Sequence, residues 1–236
     1  MVMWVAGLCL AGATLYGDEQ YGDFSYSSNS TNITITGYTG AGGHVEIPAA
    51  INSLPVTTIG DWTFSSCGSL MSVTIPDSVT TIGTSAFSSC GSLTSVTIGN
   101  SVTIIGGRAF DSCGSLRRVY FAGNAPGFGS DIFWNANQAT VYYLPETTGW
   151  GTSFVGRPAV LWNPTFTGVA WNSETRRGLA TVTGTTNIPV AVQACTNLST
   201  GPWETLLITN LTAGVLDFQD PVSTNFTARF YRVVGP

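Results

Sequence analysis

The sequence contains no lysine, and its positive charge rests on eight arginines set against thirteen acids, for a net charge of −5. A protein held on nucleic acid by phosphate contacts needs a basic face, and eight scattered arginines do not build one. Charged residues make up only 9% of the chain. The Glu, Lys, Leu and Ala mixture that sustains long helices is missing, so the composition reads as mainly β. No segment runs to 18 uninterrupted apolar residues, which excludes a spanning helix on sequence grounds. There is a single histidine, which leaves little material for His-based metal or acid–base chemistry. What is abundant points the other way from disorder: 43% hydrophobic residues, with seven Trp, eight Tyr and twelve Phe, can bury enough apolar surface to fold.

Val2 to Ala13 is apolar or small and ends in Ala11-Gly12-Ala13, in the manner of a signal peptide and its cleavage site. The usual basic residues ahead of it are missing. Residues 1–17 are therefore expected to be a signal-like segment, and the remainder an exported protein.

The strongest internal signal is repetition. Residues 57–79, 80–102 and 103–125 are successive 23-residue units without gaps, and the first two differ at only six of 23 positions. Apolar residues recur at fixed phases: Ile59/Ile82/Ile105, Phe64/Phe87/Phe110, Cys67/Cys90/Cys113, Leu70/Leu93/Leu116, Val73/Val96/Val119 and Ile75/Ile98/Phe121. A single unit cannot bury such a stripe alone, so each is expected to be one coil of a solenoid whose core forms by stacking. Val73-Thr74-Ile75 alternates with the strand period. Phe-x-x-Cys-x-x-Leu has three-residue spacing, which predicts a short helical or 3₁₀ turn across the coil. Val45-Glu46-Ile47 and Thr140-Val141-Tyr142-Tyr143 extend the strand columns, predicting five parallel strands, with caps from Asp23–Thr36 at one end and Pro126–Trp162 at the other.

The pattern Ile82-Gly83, Ala86-Phe87, Cys90, Ser92-Leu93, Val96 and Ile98 resembles the BspA-type leucine-rich repeat, over about residues 42–145. The resemblance implies a short right-handed solenoid. It also implies a bacterial secreted or surface-displayed protein without catalytic activity, with a protein, cell-surface or extracellular-matrix ligand. Residues 18–162 are assigned to the solenoid and its caps. Residues 163–236 carry five or six short alternating runs punctuated by Gly, Asn and Pro, which predicts a small antiparallel β-sandwich resembling immunoglobulin or fibronectin-III modules.

Strand alternation places two columns on the outer face of the parallel sheet: His44/Ser72/Ser95/Arg118/Thr140 and Glu46/Thr74/Thr97/Tyr120/Tyr142. Arg117, Arg118, Tyr120 and Tyr142 form an aromatic and cationic group of the kind enriched at binding hot spots. The expected partner-binding set is these four with Ser72, Thr74, Ser95, Thr97, His44 and Glu46. Ser72, His44 and Glu46 also suggest a hydrolytic triad, but a flat sheet supplies neither a strained nucleophile turn nor oxyanion donors, and no catalytic residue is assigned. In-register cysteines stack too far apart for a disulfide or a shared zinc, so they are expected to be buried free thiols. No cofactor is expected, and the chain is expected to be a monomer. The alternative reading is a carbohydrate-binding accessory module, with Trp171 and Trp203 of the sandwich stacking on sugar rings. An ice-binding array would need two regular Thr ranks on one face, and Tyr120 interrupts the only outward one.

Overall fold

The computed structural model describes residues 18–172, 177–199, 201–220 and 229–235. The signal-like segment lies outside them. The chain divides into two compact units between Val160 and Leu161. Both are built from strands, with no helix among the described residues.

In the first unit each coil contributes one longer and one very short strand. The longer strands Gly43–Glu46, Leu70–Ile75, Ser95–Ile98, Arg118–Phe121 and Thr140–Tyr143 lie parallel in chain order, as the repeat predicts. A hairpin of Ser153–Phe154 and Arg157–Leu161 extends this sheet to seven strands. The short strands Thr81–Ile82, Ile104–Ile105 and Gly127–Phe128 continue from Leu54–Ile59 in a second sheet. At its leading edge Ile33–Tyr38 pairs parallel to Leu54–Ile59, while Phe24–Ser28 and Glu19–Tyr21 add antiparallel.

Every apolar column read from the repeat lies in one core. Phe64, Phe87 and Phe110 are fully buried, and their rings stack on one another and then on Phe133 at 4.9, 5.4 and 5.6 Å. Such spacings follow from strands about 4.8 Å apart, and burying each ring contributes roughly 1.5–3 kcal/mol. Tyr38 and Phe24 close the column over Phe64, with centroids at 5.0 and 6.4 Å. The coils press together closely: a Cβ at Gly83 would stand 2.6 Å from the Asp61 backbone nitrogen, and one at Gly106 would stand 2.4 Å from that of Thr84. No larger residue fits there without separating the coils.

Two features differ from expectation. The Phe-x-x-Cys-x-x-Leu segment keeps the i to i+3 bonds of the 3₁₀ reading, such as Cys67 N–H to Phe64 O at 3.1 Å and Leu70 N–H to Cys67 O at 3.1 Å, but as separate turns and not as a helix. Residues in the left-handed region occur twice per coil, once two residues ahead of the Phe and once two residues after it. Trp62, Ser85, Arg108 and Asp131 have φ of 59, 52, 55 and 58°, and Ser66, Ser89, Ser112 and Asn135 have 62, 61, 57 and 57°. These kinks aim alternate N–H groups at the next coil instead of back along a helix. The second difference is that much of the expected trailing cap is a fourth coil. Ile132, Phe133, Ala136 and Ala139 are buried in the columns of Ala109, Phe110, Cys113 and Leu116. Alanine in the Cys and Leu positions had hidden it.

The described residues of the second unit form two three-stranded antiparallel sheets. One is Thr165–Asn172, Arg177–Thr183 and Val215–Gln219, and the other is Glu204–Asn210, Pro189–Cys195 and Phe230–Val234. Val182, Val190, Val192, Ala194 and Phe218 are among its buried side chains. Asp220 is fully buried, ion-paired with Arg229 and hydrogen-bonded by the Tyr231 hydroxyl at 2.9 Å. Burial, and then the Asp220 carboxylate beside it, push Tyr231 up to about 12.

Candidate functional site

The outer face of the longer-strand sheet follows from register. His44 pairs with Ser72, Ser72 with Ser95, Ser95 with Arg118, and Arg118 with Thr140. Glu46, Thr74, Thr97, Tyr120 and Tyr142 form the second rank in the same way. The intervening Val73, Val96, Val119 and Val141 are buried, so period-two alternation delivers both ranks to the outside. The sheet thus brings together nine of the ten sequence-selected residues in two adjacent ranks.

The two ends of this face differ chemically. At the leading end the His44 ring nitrogen Nδ1 lies 2.7 Å from Ser72 Oγ, and both residues stand on open sheet. Glu46 lies two residues along the same strand in an exposed position. The hydrogen bond that a hydrolase reading requires is therefore present, but the flat, solvated strands around it hold the serine on no strained turn. The centre, with Ser95 and Thr97, is a neutral hydroxyl surface.

The trailing end is where the third coil departs from its siblings. Tyr120 and Tyr142 stack with ring centroids 5.2 Å apart and planes at 25°. Burial pushes the Tyr120 hydroxyl well above the ordinary tyrosine range, and the positive charge of Arg118 opposes that rise without cancelling it. Tyr142 is raised for the same first reason. Both tyrosines stay neutral and able to donate at physiological pH. Arg118 lends its charge to both rings, yet its Nε is buried and has no acceptor among the described residues. A guanidinium held in place with an unused donor is prepared for an acceptor from outside.

Arg117 stands apart from this corner. Its Nη1 donates to the carbonyls of Gly114 at 3.2 Å and Leu116 at 3.4 Å, which folds the side chain over its own turn. Sequence adjacency to Arg118 conceals this, because neighbouring strand residues point in different directions.

The cysteine column consists of buried free thiols, together with Cys195 in the second unit. Cys90 Sγ donates to Phe64 O at 3.0 Å and Cys113 Sγ to Phe87 O at 3.1 Å. The neighbouring Cys113 thiol, and then burial, keep the Cys90 thiol far above its ordinary pKa and so unreactive. Among the described residues no group of His, Cys, Asp and Glu is arranged to hold a metal ion. For the sugar-binding alternative, Trp203 carries the Arg232 guanidinium 4.3 Å above its ring, so one stacking face is taken. The Trp171 side chain lies outside the described residues.

Residues 44–154 match the family described as BspA type leucine rich repeat region, in six copies. This segment is similar to BspA-type leucine-rich repeats. Among the solved structures similar to the chain are three leucine-rich repeat proteins. A leucine rich repeat protein of T. pallidum shares 26% identity over 53% of this chain and 71% of its own, with a TM-score of 0.46. A leucine-rich repeat protein from Bacteroides capillosus shares 28% over 53% and 97%, with a TM-score of 0.48. A leucine rich cell surface protein from Faecalibacterium prausnitzii shares 30% over 64% and 44%, also at 0.48. No curated protein matches the chain. The matched segment spans the two ranks from His44 to Tyr142, so the outer face is made of repeat positions throughout.

Proposed function

We propose that the chain is an exported, non-catalytic protein-interaction module, working in adhesion, whose contact surface is the outer face of the longer-strand sheet, with Arg118, Tyr120 and Tyr142 at its trailing end as the main anchors. One observation carries the reading: the buried Arg118 Nε lacks an acceptor beside two stacked, neutral tyrosines. Arginine and tyrosine supply charge-assisted and amphipathic contacts at low entropic cost, and they dominate the energetics of interfaces that contain them. The remainder of the face, Ser72, Thr74, Ser95 and Thr97 with His44 and Glu46, supplies a polar rim.

The test is to screen the full chain against immobilised extracellular-matrix and cell-surface proteins. A variant with Arg118→Ser, Tyr120→Thr and Tyr142→Thr is screened in parallel. The first two changes restore the residues that the second coil carries in the same columns, Ser95 and Thr97, and the third extends the Thr rank. Any partner bound by the parent is expected to bind this variant at least about tenfold more weakly, a loss of about 1.4 kcal/mol. Equal affinity would place the contact elsewhere.

A further inference from the structure

The turn segments between the two sheets of the solenoid are joined, at alternate residues, by main-chain hydrogen bonds that run one way. The N–H groups of Trp62, Phe64 and Ser66 donate to the carbonyls of Thr84, Ala86 and Ser88. Those of Ser85, Phe87 and Ser89 donate to Gly107, Ala109 and Asp111, and those of Arg108, Phe110 and Ser112 to Ser130, Ile132 and Trp134. The distances lie between 2.7 and 3.0 Å. A ladder with one direction must end on bare donors. In the fourth coil the corresponding N–H groups belong to Asp131, Phe133 and Asn135, and none has an acceptor among the described residues.

The chain does not supply the next coil. At Val155 and Gly156, with φ of 48 and 74°, it reverses into the hairpin of Ser153–Phe154 and Arg157–Leu161. A cleft is left between the turn and the hairpin, lined by Asp131, Phe133, Trp134, Val155 and Arg157. The Arg157 guanidinium makes no ion pair or hydrogen bond with any described residue, and its Nε is buried. The cleft is therefore lined by two of these donor-bearing residues, Asp131 and Phe133, and by an unpaired cation, each wanting an acceptor.

We propose that this cleft binds a carboxylate. In the three preceding coils these same donors take sp² carbonyl oxygens at ordinary hydrogen-bond length, and a carboxylate offers two such oxygens with a full charge. One oxygen meets the main-chain row and the other the planar edge of Arg157, the pairing for which guanidinium geometry is suited. The Asp131 carboxylate stands exposed on the rim. Its like charge opposes a dianion more strongly than a monoanion, which disfavours phosphate and sulfate. The Trp134 indole, 60% exposed, adds an apolar flank. The source is either a free small acid or the C-terminal carboxylate of a peptide, since both present the same group.

The test uses the full ¹⁵N-labelled chain and follows its amide resonances during titration with sodium acetate, with N-acetyl-Gly-Gly, and with N-acetyl-Gly-Gly amide. Sodium chloride at matched ionic strength is the control. Saturable shifts at the Asp131, Phe133 and Asn135 amides are expected with the two carboxylates and not with the amide or chloride. Tighter binding of the peptide assigns a peptide C-terminus, and equal binding assigns a free acid; both outcomes support the site. Arg157→Gln is expected to weaken binding by about tenfold or more. Asp131→Asn, which leaves the hairpin untouched, is expected to tighten it and covers the case in which the Arg157 variant fails to fold. Absence of saturable shifts, the same shifts with chloride or the amide, or no tightening in Asp131→Asn would overturn the proposal.

Discussion

The two units are stabilised by opposite means. In the solenoid, stability is distributed: the same Phe, Cys, Leu and Val positions recur coil after coil, and each buried ring rests on an equivalent ring. In the second unit a polar node holds the end of one sheet to the other, with buried Asp220 taking Arg229 and the Tyr231 hydroxyl. Phe218 of the first sheet and Tyr231 of the second meet edge-on at 6.5 Å beside it. The difference teaches where function is free to change. A repeat that satisfies its core by columns can alter its outward residues at almost no structural cost, whereas the second unit has a buried charge whose loss is felt directly.

The largest expected effect breaks a column. Phe87 sits between Phe64 and Phe110, so Phe87→Ala leaves a cavity with packed rings on both sides and is expected to destabilise the solenoid by about 3–5 kcal/mol in urea unfolding. Phe133, at the end of the stack, is expected to cost less on the same substitution. Next comes the node: Asp220→Ala removes the buried carboxylate that Arg229 pairs with, keeps the Glu204 contact at 3.3 Å, and is expected to cost about 3 kcal/mol. Amide exchange would locate that loss in the second unit, with the solenoid still protected. Equal loss of protection in both units would mean that they unfold together.

Alkaline titration compares the units under one condition. Tyr120 in the solenoid and Tyr231 in the second unit both have raised pKa values in the folded state. Their unfolded counterparts ionise near pH 10 while the folded forms still hold their protons. The stability that depends on keeping them neutral is thus complete below about pH 10 and is lost as pH rises through the folded values. Tyr120→Phe is expected to flatten the alkaline decline of the solenoid alone, and Tyr231→Phe that of the second unit alone, both read from thermal melts at stepped pH. A smaller effect belongs to the thiols. Cys90→Ala removes one S–H to carbonyl bond and is expected to cost about 1 kcal/mol. In the native chain Cys67, Cys90 and Cys113 are expected to resist alkylation until the solenoid unfolds, as mass spectrometry would report.

The columns were legible because burial and strand alternation both leave a period in the residue types, and every position read from the 23-residue units is in the core. The outer ranks were legible for the same reason, since two residues on a strand separate inside from outside. The turn was not, because Ser66, Ser89 and Ser112 carry no mark of a left-handed backbone in their side chains and glycine is absent from those positions. Without those kinks in view, three-residue spacing reads as helix, and the one-way ladder with its terminal donors has no sequence signal at all. Arg117 and Arg118 look like one cluster in the chain; the fold separates them, with one guanidinium on its own turn and the other beside Tyr120.

The central claim is that the columns hold the solenoid and the Arg118 corner does the binding. Melting temperature and partner affinity measured together on the parent, on Phe87→Leu and on Arg118→Ser/Tyr120→Thr/Tyr142→Thr test it most directly. The column variant is expected to melt lower and bind as the parent does, and the corner variant to melt as the parent does and bind at least about tenfold more weakly. A corner variant with unchanged affinity, or one whose affinity falls only in step with its melting temperature, would contradict the claim.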